Sequence, residues 1–207
     1  MRQNLEKLRL RAAEINKELS RIFPSAGMML NYSNHWELVL AVSLSAQCTD
    51  KKVNEVTARL FKKYPTLDDY LRADLNEFEQ DIFQTGFYRQ KAKNALAAAR
   101  VLHDRFGGVV PHTMEELMEL PGVGRKTANV VLGNAFGIAV GIAVDTHVRR
   151  LARVFGLTKN TDPEKIEQDL MKIIPQKDWF RTTYLYIEYG RRYCVARPHA
   201  HENCPVK

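Results

Sequence analysis

The sequence predicts an all-α protein. Apolar residues recur at spacings of three and four along most of the chain, capping patterns open one segment after another, and no series of alternating strand segments interrupts them. Residues 4–22 set Leu5, Leu8, Ala12, Ile15, Leu19 and Ile22 on one helical face. Asn34 and Glu37 form a capping box for a helix through WELVLAVSLSAQ. That helix is apolar on most sides, which places it at a domain centre. Residues 51–63 keep the spacing with Val53, Val56, Leu60 and Phe61, and after the break at Pro65 a short helix is capped by Thr66 and Asp69. A longer helix runs from about Gln90 to Phe106, with Ala95, Ala98, Ala99 and Leu102 inward, and Gly107-Gly108 ends it.

Thr113 and Glu116 cap TMEELMEL, and LPGVGRKTANVVLGNAF then turns on glycines into a new helix near Arg125. GIAVGIAV reads either as an extended buried crossover or as one short strand. Asp145 opens DTHVRRLARVFGL, Asp162-Pro163 opens the next helix, and a last one runs from about Asp178 to Tyr193 before the irregular tail CVARPHAHENCPVK. The expected division is one lobe over 27–139 and a second made of 1–26 with 140–207.

The chain has 207 residues, 45% hydrophobic and 27% charged, enough apolar content for a sizeable core. The net charge of +7 favours a polyanionic partner, because Lys and Arg on phosphate release counterions. No apolar run is long enough to span a membrane, and the amphipathic N-terminus is unlike a signal peptide. The expectation is a monomeric intracellular protein, cytoplasmic and nucleoid-associated if bacterial. Cys48, Cys194 and Cys204 are too few for a disulfide framework, and Cys48 reads as a reduced core thiol.

LPGVGRKTA is the most informative stretch. Gly122 and Gly124 flank Val123 between two helical segments, and the unpaired N–H groups of the helix that follows make an anion site fit for one DNA phosphate. A P-loop would need glycine directly before the lysine and a strand upstream; here Arg125 precedes Lys126 and a helix precedes the turn. An ordinary helix–turn–helix packing motif without ligand is the other reading.

Four blocks decide between them: LSAQCTDKKVN (44–54), TGFYRQKAKN (85–94), LPGVGRKTANVVL (120–132) and VDTHVRRLARVFGL (144–157). In this order they resemble the endonuclease III family of helix-hairpin-helix DNA glycosylases. The resemblance implies a two-lobed fold with a DNA-binding cleft between the lobes, and damaged double-stranded DNA as partner. It implies that Lys126 is the nucleophile, its amine attacking C1′ of the damaged nucleotide, and that β-elimination follows from the Schiff base. It makes Asp145 the catalytic carboxylate, which stabilises positive charge on the sugar and accepts a proton from Lys126. On local sequence alone Asp145 is a helix N-cap, and the two roles are compatible.

Flipping a base leaves a hole in the stack. By the same resemblance Gln47 fills it and Phe87 is the wedge on the opposite strand, against the alternative of a core aromatic. Asp50 lines the site, and His147 and Arg149 contact backbone phosphate. Gly122, Val123, Gly124 and Arg125 hold the hairpin against DNA. A lysine at 126 points to oxidised or ring-saturated pyrimidines as substrates, since mismatch-specific members carry Ser or Tyr there. The alternatives are a monofunctional mismatch-type glycosylase and a non-catalytic helix-hairpin-helix DNA-binding protein.

The tail departs from the family pattern. Family members carry a Cys-x6-Cys-x2-Cys-x5-Cys loop that holds a [4Fe–4S] cluster through four thiolates. Cys194 and Cys204 fit its first and third places, His201 occupies the second, and no fourth ligand follows before Lys207. The expectation is therefore no cofactor. A three-ligand site of Cys194, His201 and Cys204 is the alternative, with His199 nearby.

Overall fold

A computed structural model describes residues 2–206. Among the described residues the regular elements are all helical. They are α1 (Arg2–Ile22), α2 (His35–Leu44), α3 (Asp50–Lys63), α4 (Leu67–Arg72), α5 (Leu75–Asp81), α6 (Tyr88–Phe106), α7 (Met114–Met118), α8 (Arg125–Phe136), α9 (Thr146–Val154), α10 (Pro163–Ile173) and α11 (Gln176–Arg192). Short 3-10 turns lie at Phe83–Thr85 and His201–Asn203.

Side-chain caps fix many of the helix starts. Asn34 Oδ1 accepts from Glu37 N at 2.9 Å, Thr113 Oγ1 from Glu116 N at 3.3 Å, and Asp162 Oδ1 from Lys165 N at 3.0 Å. Each satisfies a backbone N–H that has no partner inside its helix, worth about 1 kcal/mol. Thr66 and Asp69 close a box in which Asp69 Oδ2 accepts from Thr66 N at 2.9 Å. α5 was not anticipated from the sequence, although Asp74 caps it by accepting from Glu77 N at 3.0 Å.

α2 stops at Leu44 instead of running on to Gln47. The hydroxyls of Ser43 and Ser45 donate to Val39 O and Val42 O, at 2.8 and 2.7 Å, competing with the backbone where the helix ends. Cys48 therefore lies in a turn and is half-buried, not a core thiol. GIAVGIAV forms no strand and crosses over as extended chain, with Ile142, Ala143 and Val144 buried.

The chain divides into two compact units. The first joins Met1–Met28 to Ala139–Lys207 and holds α1, α9, α10 and α11. Ala12, Ile15 and Leu19 of α1 share its core with Val148, Leu151, Phe155, Ile166, Leu170, Tyr186 and Tyr189. Each large side chain buried this completely contributes roughly 1.5–3 kcal/mol of transfer free energy. The second unit, Met29–Ile138, is built around α2, where Leu38, Val39, Leu40, Ala41 and Leu44 are nearly inaccessible. α3, α6 and α8 pack around that helix. This arrangement holds the α7–α8 hairpin on a rigid centre.

Candidate active site

The hairpin between α7 and α8 is shaped by its glycines. Gly122 has φ +84°, and a β-carbon there would lie 2.8 Å from Asn94 Nδ2, so both the conformation and the space select glycine. Val123 is buried and its N–H donates to Leu120 O at 3.0 Å, which pins the turn to the core. Gly124 is the N-cap of α8 and provides no side-chain cap. The first-turn N–H groups of α8 thus form a positive terminus. Lys126 stands in that turn and is exposed; Arg125 beside it is half-buried.

Gln47 and Phe87 share an unusual backbone. Among the described residues they are the two non-glycine positions with positive φ, at 54° and 49°. A left-handed conformation at residues with a β-carbon costs about 1–3 kcal/mol and collects at functional sites. Both side chains are exposed, Phe87 at 67% of its surface, so Phe87 is not a core aromatic. Asp50 opens α3 directly after the capping Thr49 and is half-buried.

Lys91 escaped the sequence reading, although it lies in a block that was singled out. From α6 its ammonium donates to Leu44 O and to Thr85 O, each at 2.8 Å. Leu44 ends α2 just before the Gln47 turn, and Thr85 precedes Gly86-Phe87. One half-buried cation thereby ties together the two segments that carry the left-handed residues, and its burial pushes its pKa down. The only sequence signal was a lysine on the α6 face that also carries Ala95.

In the other unit Asp145 caps α9, its Oδ1 accepting from Val148 N at 2.8 Å, and the carboxylate is half-buried at the end of the apolar crossover. His147 is half-buried, with Nδ1 enclosed and lacking a hydrogen-bond partner among the described residues. Burial is the main force holding its pKa below the usual imidazole value. Arg149 is exposed and borders a shallow depression with Arg150 and Arg153, a basic face suited to phosphate.

The tail brings Cys194, His199, His201 and Cys204 together, one donor atom from each lying within 4.8 Å of the others. The expectation of no cofactor is therefore not supported: these four residues form a group that could hold a metal ion, and it includes His199 beyond the three positions matched by spacing. The fit to a four-iron cluster is poor. In such a cluster each ligand holds a different iron and the cube stands between them, whereas these donors crowd around a single point, and two of the four are imidazoles.

Comparison with known proteins places this geometry. Residues 40–176 match the model of the HhH-GPD superfamily of base excision DNA repair proteins. The chain belongs to that superfamily. Within it the endonuclease III family is shown by its relatives: endonuclease III of Synechocystis is 51% identical over 90% of this chain and 85% of its own length. Endonuclease III of Bacillus subtilis is 45% identical over 91% and 86%. A solved structure of a trapped endonuclease III–DNA covalent intermediate is similar, with a TM-score of 0.91, 45% identity, and coverage of 96% of this chain and 93% of that one. A thermostable thymine-DNA glycosylase, at 21% identity and a TM-score of 0.81, shares the fold. Endonuclease III proteins typically hold a [4Fe–4S] cluster, against which this tail stands apart. Among the described residues no helix is long and apolar enough to cross a membrane.

Proposed function

We propose that this endonuclease III family member, a base excision repair DNA glycosylase and AP lyase, works on damaged duplex DNA through Lys126 and Asp145. The carrying observation is the exposed Lys126 in the first turn of α8, behind a glycine hairpin whose N-terminal N–H groups suit a phosphate. The amine attacks C1′ of the damaged nucleotide and the base departs with the glycosidic electron pair. The sugar ring opens to a Schiff base on Nζ. Loss of a C2′ proton then expels the 3′ phosphate by β-elimination, which nicks the strand. Asp145 supplies the carboxylate that stabilises positive charge growing on the sugar, and its N-cap bond holds it in place.

Gln47 fills the stack that the flipped base leaves and Phe87 wedges into the opposite strand; both side chains are exposed, on left-handed backbone. Arg125, His147 and Arg149 meet phosphates, and Asp50 lines the site. The substrates are oxidised or ring-saturated pyrimidines, with abasic sites cleaved as well. The similar protein trapped as a covalent intermediate with DNA supports Schiff-base chemistry over simple hydrolysis.

Borohydride reduction tests this. Incubation with duplex DNA carrying thymine glycol or an abasic site should yield a covalent adduct in the native protein and none in Lys126→Ala. Asp145→Asn should slow base release by orders of magnitude while duplex binding persists. A folded native protein that forms no adduct and cuts neither substrate overturns the assignment.

A further inference from the structure

We propose that the C-terminal tail is a closed Cys2His2 site for a single structural zinc ion, in place of an iron–sulfur cluster. The donors are Cys194 Sγ, His199 Nε2, His201 Nδ1 and Cys204 Sγ. Zinc takes four such ligands tetrahedrally, with bonds of ~2.3 Å to sulfur and ~2.0–2.1 Å to nitrogen, which sets neighbouring ligand atoms roughly 3.3–3.8 Å apart. Cys194 Sγ lies 3.7 Å from His201 Nδ1, and Cys204 Sγ lies 3.4 Å from His199 Nε2. Both separations suit ligands that share one ion, and the other donor pairs lie within 4.8 Å.

The surroundings prepare the donors. His199 Nδ1 lies 2.8 Å from Arg197 O, so it carries the proton and donates it to that carbonyl, which leaves the Nε2 lone pair facing Cys204. His201 turns its other nitrogen, Nδ1, toward Cys194. Both sulfurs are buried, whereas the imidazoles lie nearer solvent. Arg150 of α9 donates to the carbonyl of Cys194, and the 3-10 turn closes with Cys204 N donating to His201 O at 3.0 Å. Tyr189 of α11 holds the far end, its hydroxyl donating to Val206 O at 2.6 Å and accepting from Val206 N at 3.1 Å. Four protein ligands leave no position for water or substrate, so the ion is structural. It closes the tail on itself, where Arg150 of α9 and Tyr189 of α11 hold it, and its binding free energy adds to the stability of that unit. Mixed thiolate and imidazole ligands in a tetrahedron suit zinc over the hard divalent ions.

The test is elemental analysis of untagged, full-length protein purified without chelator from cells supplied with both iron and zinc. The expected result is one zinc per chain, a colourless protein, and neither iron nor acid-labile sulfide. Cobalt(II) added to chelator-stripped protein should give the intense visible bands of a tetrahedral thiolate site. Stripping should lower the thermal midpoint by several degrees and raise the number of thiols that react with a disulfide reagent. His199→Ala and His201→Ala, which change solvent-facing ligands, should each weaken zinc affinity at least tenfold while the helical spectrum is kept. Cys204→Ser is the harsher variant and should lose the ion. Iron with labile sulfide at cluster stoichiometry overturns the proposal. So does metal-free native protein whose melting ignores chelator, a Cys194–Cys204 disulfide in the isolated protein, or zinc that survives all three substitutions.

Discussion

Gly190 in α11 lies so close to His147 in α9 that a β-carbon at position 190 would stand 2.5 Å from the imidazole Nδ1. The missing side chain lets the two helices approach, and Arg150 fills the same notch, its Nη2 donating to Gly190 O at 3.3 Å. Gly190→Ala is expected to drive the ring out of place and to cost about 1–3 kcal/mol, as overpacking does. Denaturant unfolding measures this, and His147→Ala in the same background should restore most of the loss. Two additive mutations would show that the ring does not set the helix spacing.

His147 also predicts a pH dependence. Burial lowers its pKa; the Asp145 charge opposes this, and Arg150 and Arg191 add to it. The folded ring therefore binds its proton more weakly than the unfolded chain does. Between its lowered folded value and the ordinary value of about 6.5, the unfolded chain binds more protons, so stability rises with pH across that window. The contribution is complete above the unfolded value and is lost as pH falls toward the folded one. A His147→Gln variant should show a flatter stability profile through mild acid; an unchanged slope would assign the dependence to other groups.

Lys91 is expected to act as a positioning residue. Lys91→Met keeps the stem and removes the ammonium, leaving the carbonyls of Leu44 and Thr85 without that donor. Stability should fall by about 1–3 kcal/mol, the cost of a buried acceptor left unsatisfied. If Lys91 positions the Gln47 and Phe87 segments, excision from a fully paired lesion should fall much more than cleavage of an abasic site in single-stranded DNA. That strand has no stack to fill. Equal losses on both substrates would reduce Lys91 to a stability role.

Gln47→Gly separates stability from function in the opposite direction. Glycine adopts the left-handed backbone at position 47 without the penalty of a β-carbon. The variant should match or exceed the native protein in stability, by up to about 1 kcal/mol, while its base excision falls at least tenfold. Unfolding curves and single-turnover excision assays give the two readouts. Retained excision would remove Gln47 from the proposed flipping machinery.

What the sequence revealed follows the range of each interaction. The caps at Asn34, Thr113, Asp145 and Asp162 bond within three residues, so their partners stand in the same short window. The apolar spacing of α1 and α2 was legible for the same reason. The end of α2 was not, because two serine hydroxyls and a left-handed Gln47 decide it against a favourable apolar pattern. Lys91 was missed because one of its acceptors lies 47 residues away. The tail was misjudged because cysteines were counted against a four-thiolate template. Only the folded backbone shows His199 turned in beside Cys204.

The discontinuity of the first unit bears on the order of events during synthesis. Met29–Ile138 is one uninterrupted stretch, with every helix it packs already made when residue 138 leaves the ribosome. α1 is translated before that stretch, yet the residues that share a core with its Ala12, Ile15 and Leu19 lie on α9, α10 and α11, more than a hundred residues later. The nascent chain must carry the apolar face of α1 bare until α10 and α11 have been made, while the segment between them folds. Its charged residues, from Glu6 and Lys7 to Lys17 and Glu18, keep that waiting helix soluble.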